Sequence, residues 1–206
     1  MSSLIDPEQY KPLMVLRDNW RTIREECSVI DRNDIAPFER GALSHGQITK
    51  KLMENGRMQW IKAWGLSKDR WLNWGFCLYD QYPFGPAGAP KTTNLLRHIK
   101  GLKVAALALF KPSVILPIHS HPELKAENLY TFHLGLDVPP DHCYLHADGE
   151  FAREEEGKAI VFDGSRPHYA FNASRGDRLI LYCEFSPERL RWVDDIRAGQ
   201  LQSSNV

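Results

Sequence analysis

The sequence predicts a mainly β protein with flanking helices, in which a sandwich or barrel of short strands follows an N-terminal helical region. From Leu102 onward, short apolar runs such as VAALALF, SVILPI, NLYTFHLGL and DRLILYCEF alternate with turn residues. Strands at such regular spacing are typical of sandwiches and barrels. Before them, residues 7–30 carry apolar side chains every three to four positions, which is the period of a helix.

The chain length favours a single domain, residues 1–206, with three parts. We expect residues 1–73 to be a helical and loop region packed on the barrel. Residues 74–186 are expected to form the β core, and residues 187–206 a C-terminal helix and tail. The apolar pattern over residues 187–197 predicts that helix.

Within the first part, residues 31–50 are polar and rich in turn residues, which predicts a long connection. Trp60 and Trp64 are four residues apart, a spacing that fits one helix face. A strand over residues 74–79 and a short helix beginning at Thr92 then lead into the core.

Composition excludes several classes of partner. Lysine plus arginine number 26 and aspartate plus glutamate also 26, so there is no electrostatic case for a nucleic acid partner. No apolar run approaches the ~20 residues that span a bilayer, and the first residues lack a secretory pattern. The expected partner is a small-molecule or peptide substrate. The sequence makes no prediction of the oligomeric state.

The cysteines indicate a reducing compartment. They form no Cys-x-x-Cys pair and are scattered along the chain, so we expect buried, reduced thiols and a cytoplasmic location. They are Cys27, Cys77, Cys143 and Cys183.

Histidines carry the functional prediction. His119 and His121 follow Pro117 as His-x-His, and residues two apart on a strand point to the same face. His133 lies further along the same segment, and His168 follows a tight Asp-Gly-Ser turn before another strand. Because imidazole is the commonest metal ligand among side chains near neutral pH, the pattern predicts a metal held in the mouth of the barrel.

Four motifs in this order resemble the aspartyl/asparaginyl β-hydroxylase family of iron(II) and 2-oxoglutarate dioxygenases. They are LPIHSHP, HLGLDVP, GKAIVFDGSRPHYAFN and DRLILY. The resemblance implies a double-stranded β-helix, the jelly-roll or cupin-like form of barrel, that uses iron(II), 2-oxoglutarate and O₂. The implied reaction is hydroxylation of a C–H bond in an amino-acid-like or peptidyl substrate of the Asp/Asn type.

The resemblance also implies residue roles. His119 and His168 would bind iron, and no catalytic residue is implied beyond the metal centre. Arg178 would form a salt bridge with the distal carboxylate of 2-oxoglutarate, because its planar fork matches a carboxylate. His133 would help hold the proximal carboxylate. Both faces of the Arg178 strand are apolar, so only the resemblance predicts that Arg178 points inward.

Two positions depart from the family pattern. His121 stands where the family typically has glycine, and it is a candidate third ligand, a support for the ligands or a substrate contact. We favour one of the last two roles. Thr131 stands where the family often has arginine two residues before His133, which leaves the carboxylate clamp and the substrate open.

Two alternatives remain from the sequence. One is a cupin-type metal enzyme that does not use 2-oxoglutarate, and the other is a non-catalytic metal- or ligand-binding module on the same barrel. The cupin interpretation would draw its ligand set from His119, His121, Glu123 or Glu127, His168 and Asn172.

Overall fold

A computed structural model describes residues 2–65, 68–86 and 88–194. The helices are a 3₁₀ turn Pro7–Gln9, α1 Lys11–Asp18, α2 Trp20–Ser28, α3 His45–Glu54, α4 Pro90–His98 and α5 Pro122–Ala126. The strands are β1 Leu4–Ile5, β2 Ile35–Glu39, β3 Trp60–Lys62, β4 Trp71–Leu78, β5 Ile99–Lys100, β6 Leu102–Phe110, β7 Val114–His119, β8 Tyr130–Asp137, β9 Cys143–Ala147, β10 Glu150–Arg153, β11 Ala159–Phe162, β12 His168–Asn172, β13 Arg178–Phe185 and β14 Arg191–Trp192.

Two sheets form the walls of a barrel. The larger has the order β1-β11-β8-β13-β6-β4-β3-β2, and the smaller has the order β10-β9-β12-β7. Apolar side chains from both sheets pack against one another between them, including Phe110 and Phe162 from the larger sheet and Leu116, Leu145 and Ala170 from the smaller. The fold is the predicted double-stranded β-helix.

The larger sheet is buried on both faces, which explains the unbroken apolar run of β6. Leu107 and Leu109 pack on its outer face in one cluster with Leu13 and Leu16 of α1 and Ile23 of α2. The alternate residues of β6 face the barrel interior. The N-terminal helices therefore cover the sheet and leave its inner face to the functional site.

The N-terminal part contains more regular structure than predicted. The expected helix is divided at Asn19, whose side-chain amide donates to the Val15 carbonyl at 2.8 Å. The expected connection over residues 31–50 contains β2 and the start of α3, which begins with a capping box between Ser44 and Gln47. The β core starts earlier than residue 74, because β1, β2 and β3 join the larger sheet and β4 begins at Trp71.

Two local predictions are wrong. Trp60 lies in β3, so it does not share a helix face with Trp64. The predicted C-terminal helix is absent from its described part, up to residue 194, where β14 pairs with β5 instead. The Trp192 ring stacks on His98 with 4.8 Å between centroids, so tertiary packing overrides the local helical pattern. Residues 195–206 lie outside the described part of the chain.

The expectation of buried, unpaired thiols is confirmed. All four cysteines are free and buried. Burial raises the pKa of Cys27 and of Cys77 to about 12, so both remain protonated at neutral pH. Among the described residues, no helix is long and apolar enough to cross a membrane.

Candidate active site

Strands β7 and β12 bring the predicted histidines together. His119 ends β7 and His168 begins β12, and the two residues are direct partners across the antiparallel ladder. Their ring centroids are 4.2 Å apart. The His121 ring lies 5.0 Å from that of His119 and 5.6 Å from that of His168. One ring nitrogen of each histidine lies within 4.8 Å of the other two, so the three imidazoles can share a metal ion.

The hydrogen bonds of the histidine rings determine which nitrogen of each ring is available to a metal ion. His119 Nδ1 donates to the Pro117 carbonyl at 2.8 Å, and His168 Nδ1 donates to the Arg166 carbonyl at 2.8 Å. Because a carbonyl only accepts, the proton of each ring sits on Nδ1 and Nε2 keeps its lone pair. Burial also lowers the pKa of His119 and brings that of His168 to about 3, so both rings are neutral ligands at pH 7.

A close contact explains how the His121 segment is held. The backbone amide of His121 donates to the Gly164 carbonyl at 3.0 Å, which ties the His-x-His segment to the turn before His168. A Cβ atom on Gly164 would lie 2.6 Å from Thr131 Oγ1 and 2.9 Å from a Leu124 methyl. Residues 131 and 164 therefore limit each other's size.

Arg178 points into the barrel, as expected. It is 1% exposed, and its guanidinium lies 4.5 Å from the centroid of the Phe110 ring. Its Nε and Nη2 donate to the two carboxylate oxygens of Glu154, which is 2% exposed. Glu154 Oε1 also accepts from His133 Nδ1 at 3.0 Å. The two residues predicted to bind 2-oxoglutarate thus share one buried carboxylate.

The charge of Arg178 and the hydrogen bond from His133 keep the Glu154 carboxylate ionised. Burial alone would raise the pKa of Glu154, but the charge of Arg178 and the hydrogen bond from His133 hold it at about 2. Burial lowers the pKa of His133 despite this partner, so the ring is neutral. The result is a neutral Arg178–Glu154 pair in the wall of the site.

Glu154 reaches this position because Gly135 lacks a side chain. A Cβ atom on Gly135 would lie 2.0 Å from the Glu155 carbonyl oxygen, and the amide of Gly157 donates to the Gly135 carbonyl at 2.9 Å. The segment carrying Glu154 therefore lies directly against β8. The sequence reasoning missed Glu154, since it begins a run of three glutamates that resembles a solvated surface.

The candidate active site is one cavity between the two sheets. Its empty volume is about 650 Å³, including open solvent at its mouth. The three histidines, His133 and Arg178 contribute to its wall, with apolar surface from Trp64, Trp71, Phe110, Leu145 and Phe162. Arg40, His45, Tyr182 and Glu184 also line it. Sequence reasoning assigned no role to these four residues.

The sequence profile of the aspartyl/asparaginyl beta-hydroxylase family matches residues 17–187, which include the whole site. The chain belongs to this family.

Two curated relatives match part of the chain. The ornithine lipid ester-linked acyl 2-hydroxylase of Rhizobium tropici is 33% identical over 98 residues, which is 47% of this chain and 34% of that protein. The human aspartyl/asparaginyl beta-hydroxylase is 31% identical over 111 residues, 50% of this chain and 15% of that protein. The matches thus span about a third or less of these relatives.

Solved structures with a similar fold are distant in sequence. An oxidoreductase of the 2OG-Fe(II) oxygenase family from Burkholderia pseudomallei has a TM-score of 0.49 at 10% identity, over 71% of this chain and 81% of that chain. A predicted oxalate decarboxylase from Thermotoga maritima has a TM-score of 0.39 at 13% identity, over 56% of this chain and 80% of that chain.

The residues present in this family member fit a metal ion and a 2-oxo acid. The cluster offers neutral imidazoles, which iron(II) accepts as ligands. Arg178 Nη1 makes no hydrogen bond within the described part of the chain, so one side of the guanidinium remains available beside Glu154.

The carboxylates and the amide in the ligand set of the cupin alternative do not join the three histidines. Glu123 bonds His121 Nδ1 at 3.0 Å, and Glu127 pairs with Lys103. The buried Asn172 amide donates to the Phe110 carbonyl at 3.1 Å. Within the described residues, the metal-binding cluster consists of the three histidines alone.

Proposed function

We propose that this chain is an iron(II)- and 2-oxoglutarate-dependent dioxygenase that hydroxylates a C–H bond of an amino-acid-like or peptidyl substrate. The observation that carries the proposal is the convergence of three neutral imidazoles in the cavity that Arg178 and His133 also line. Family membership supports the hydroxylase activity.

His119 and His168 would hold the metal from adjacent antiparallel strands, each with its ring fixed by a carbonyl two residues away. His121 would be the third ligand, because its Nδ1 is bonded to Glu123 and one nitrogen of its ring lies in the same cluster. Three ligands on one side leave open positions for cosubstrate and O₂. With iron(II) held there, O₂ would be the oxidant and 2-oxoglutarate the two-electron reductant, which would lose CO₂ to become succinate while one oxygen atom enters the substrate C–H bond.

Arg178 and His133 would position the cosubstrate. The Arg178 Nη1 side can donate to its distal carboxylate, while His133 lies on the neighbouring strand β8 with its ring 5.1 Å from that of Phe162. Glu154 holds both side chains through the bonds described above, so their orientation is set before a ligand enters.

Apolar walls would keep bulk water from the reacting centre. Trp64 packs edge-on against both His119 and Trp71, at 5.2 Å and 5.1 Å between ring centroids. On the opposite side of the histidines, Phe162 lies 5.2 Å from His168. A dry cavity strengthens the electrostatic contacts within it.

The test is release of succinate from 2-oxoglutarate by purified protein supplied with iron(II) and O₂. We expect release by the natural protein and its loss in His119→Ala and in His168→Ala, with loss of metal binding. His146→Ala is the matched control, because His146 stacks on Tyr169 outside the cluster. A protein that binds iron but leaves 2-oxoglutarate intact would favour the cupin-type alternative.

A further inference from the structure

A second cavity adjoins the first beneath α3. Its empty volume is about 710 Å³, open solvent included. Arg40, His45, Asn73 and Tyr182 line both cavities, so the two are continuous. The remaining wall of the second cavity is mainly apolar, with Ile48, Leu52, Met58, Ile61, Phe76 and Phe84. A ligand that reaches the histidines can therefore extend into apolar surroundings.

Small residues make the floor of this double cavity. Ala106 on β6 lies between Gly75 on β4 and Tyr182 on β13, and Ala108 lies between Asn73 and Ile180 in the next row. Because Gly75, Ala106 and Ala108 carry only hydrogen or a methyl group, they leave a trough along the inner face of the larger sheet beside the longer side chains of Tyr182 and Asn73. We refer to this feature, floored by Gly75, Ala106 and Ala108, as the trough.

Arg40 supplies a positive charge where the cavities meet, and this charge acts against the rise in the pKa of Glu184 that burial causes. Its side chain is partly buried and has no ion pair or hydrogen bond within the described residues. The neighbouring His45 cannot share that charge at neutral pH, since burial lowers its pKa to about 4. A partly desolvated guanidinium favours an anionic partner, above all a carboxylate.

Glu184 supplies an acceptor on the same cavity wall. It is 5% exposed, and Tyr182 donates to its Oε1 at 2.7 Å, but its buried Oε2 has no hydrogen-bond partner. The nearest cation, Lys103 Nζ, lies 3.8 Å from Oε2 and donates to Glu127 at 2.6 Å instead. Because buried polar atoms are nearly always hydrogen-bonded, this oxygen can accept from a donor group of a ligand in the cavity.

We infer that the substrate of the proposed hydroxylase is a free α-amino acid with an apolar side chain. Arg40 binds its carboxylate, Glu184 accepts from its ammonium group, and the side chain lies along the trough under α3. This inference deepens the proposed function and rests on it for the reaction.

An acidic side chain does not fit this arrangement. Beyond Arg40 and His45, the lining of the second cavity offers no ionisable nitrogen within the described residues. A side-chain carboxylate placed there would be desolvated without a partner, which is unfavourable. Free aspartate should therefore bind more weakly than an apolar amino acid of similar length.

The test is calorimetric titration of the purified protein without iron or 2-oxoglutarate. L-Norleucine is the probe, with hexanoate lacking the ammonium group and pentylamine lacking the carboxylate. Each truncated probe should bind about 10- to 100-fold more weakly, the net value of a hydrogen bond to a charged group. L-Alanine, three carbons shorter, should lose about 50-fold from unburied methylene groups. L-Aspartate should bind more weakly than L-norleucine.

Matched variants assign the two contacts. Arg40→Gln should abolish the tighter binding of norleucine relative to pentylamine. Arg57→Gln should preserve this difference in affinity, because Arg57 is an exposed arginine paired with Asp34. Glu184→Gln should abolish the tighter binding of norleucine relative to hexanoate. Glu127→Gln removes another partner of Lys103 and should preserve this difference in affinity.

Equal binding of norleucine and hexanoate, tighter binding of aspartate, or an Arg40→Gln protein with unchanged preferences would each overturn the inference. Because the titration needs neither metal nor cosubstrate, it can fail while succinate release succeeds, and the reverse. The two proposals are therefore tested separately.

Discussion

At the scale of single residues, the Arg178–Glu154 pair changes how the cosubstrate site should be tested. Arg178→Ala would leave Glu154 as an unpaired buried carboxylate, and removing one partner of such a pair costs about 3–5 kcal/mol. Loss of folding would then be confused with loss of binding. Glu154→Gln keeps the shape of the side chain and one acceptor oxygen, but its NH₂ group meets a donor and Arg178 loses its counter-charge, so folding has to be verified for this variant too.

We expect Glu154→Gln to tighten 2-oxoglutarate binding about tenfold or more, since the positive charge of Arg178 then becomes available to the ligand. The measurement is calorimetric titration of zinc-loaded protein with 2-oxoglutarate, at a temperature where the variant remains folded. Glu155→Gln, an exposed glutamate paired with Lys158, should leave the affinity unchanged. Weaker binding by Glu154→Gln would instead show that Glu154 serves mainly to orient Arg178.

His121→Ala tests the third ligand. If all three imidazoles bind the metal, its loss should lower iron(II) affinity as severely as His119→Ala does. A support or substrate contact, which the sequence favoured, would reduce affinity or rate by only about 10–100-fold. Cobalt(II) titration followed by absorbance, with His146→Ala as the unaffected control, separates these outcomes.

At the scale of elements, Gly135 on β8 determines the position of the Glu154 segment. Gly135→Ala should displace that segment, because its Cβ would meet the Glu155 carbonyl oxygen. We expect the free energy of unfolding to fall by about 1–3 kcal/mol, as for other overpacked positions. Urea unfolding measures this loss. Gly46→Ala is a control for the added methyl group, since a Cβ there meets nothing within 4 Å and Gly46, like Gly135, is not at a positive φ.

The elements that carry local signals were predicted, and those fixed by distant contacts were not. The spacing of the histidines and the turn before His168 predicted that His119 and His168 lie together, whereas the inward direction of Arg178 was predicted only by the family resemblance. Helix α3 was missed although its Ser44–Gln47 capping box is a readable signal. Glu154 has no such signal, because only the approach of its segment to Gly135 buries it. The pairing of β14 with β5 likewise depends on partners far along the chain.

At the scale of the whole molecule, buried neutral histidines make stability depend on pH. Burial holds the pKa of His45 at about 4 and that of His168 at about 3. In the unfolded chain both rings take up protons near pH 6.5. Below that pH the unfolded state binds more protons, so the free energy of unfolding falls. Their stabilising contribution is full above pH 6.5 and disappears as the pH falls through 4 and 3.

Urea unfolding of metal-free protein at pH 7.5, 6.0 and 5.0 should show this decline at constant ionic strength. His45→Gln should make the decline shallower, because it removes one of the rings whose pKa is lowered, while His119, His133 and His168 remain. The exposed His142→Asn is the control and should retain the full slope. A free energy of unfolding that is constant from pH 7.5 to 5.0 would contradict the burial of both rings.

Because of the trough, the side-chain length that the site accepts and the reaction centre itself can change independently in evolution. Its floor residues Gly75, Ala106 and Ala108 lie on β4 and β6 of the larger sheet, whereas His119 and His168 lie on β7 and β12 of the smaller sheet. Replacing Ala106 with the larger valine would shorten the compartment under α3, while the imidazoles stay in place. One nucleotide change in the gene, from an alanine to a valine codon, would thus alter which side-chain lengths are accepted without rebuilding the reaction centre.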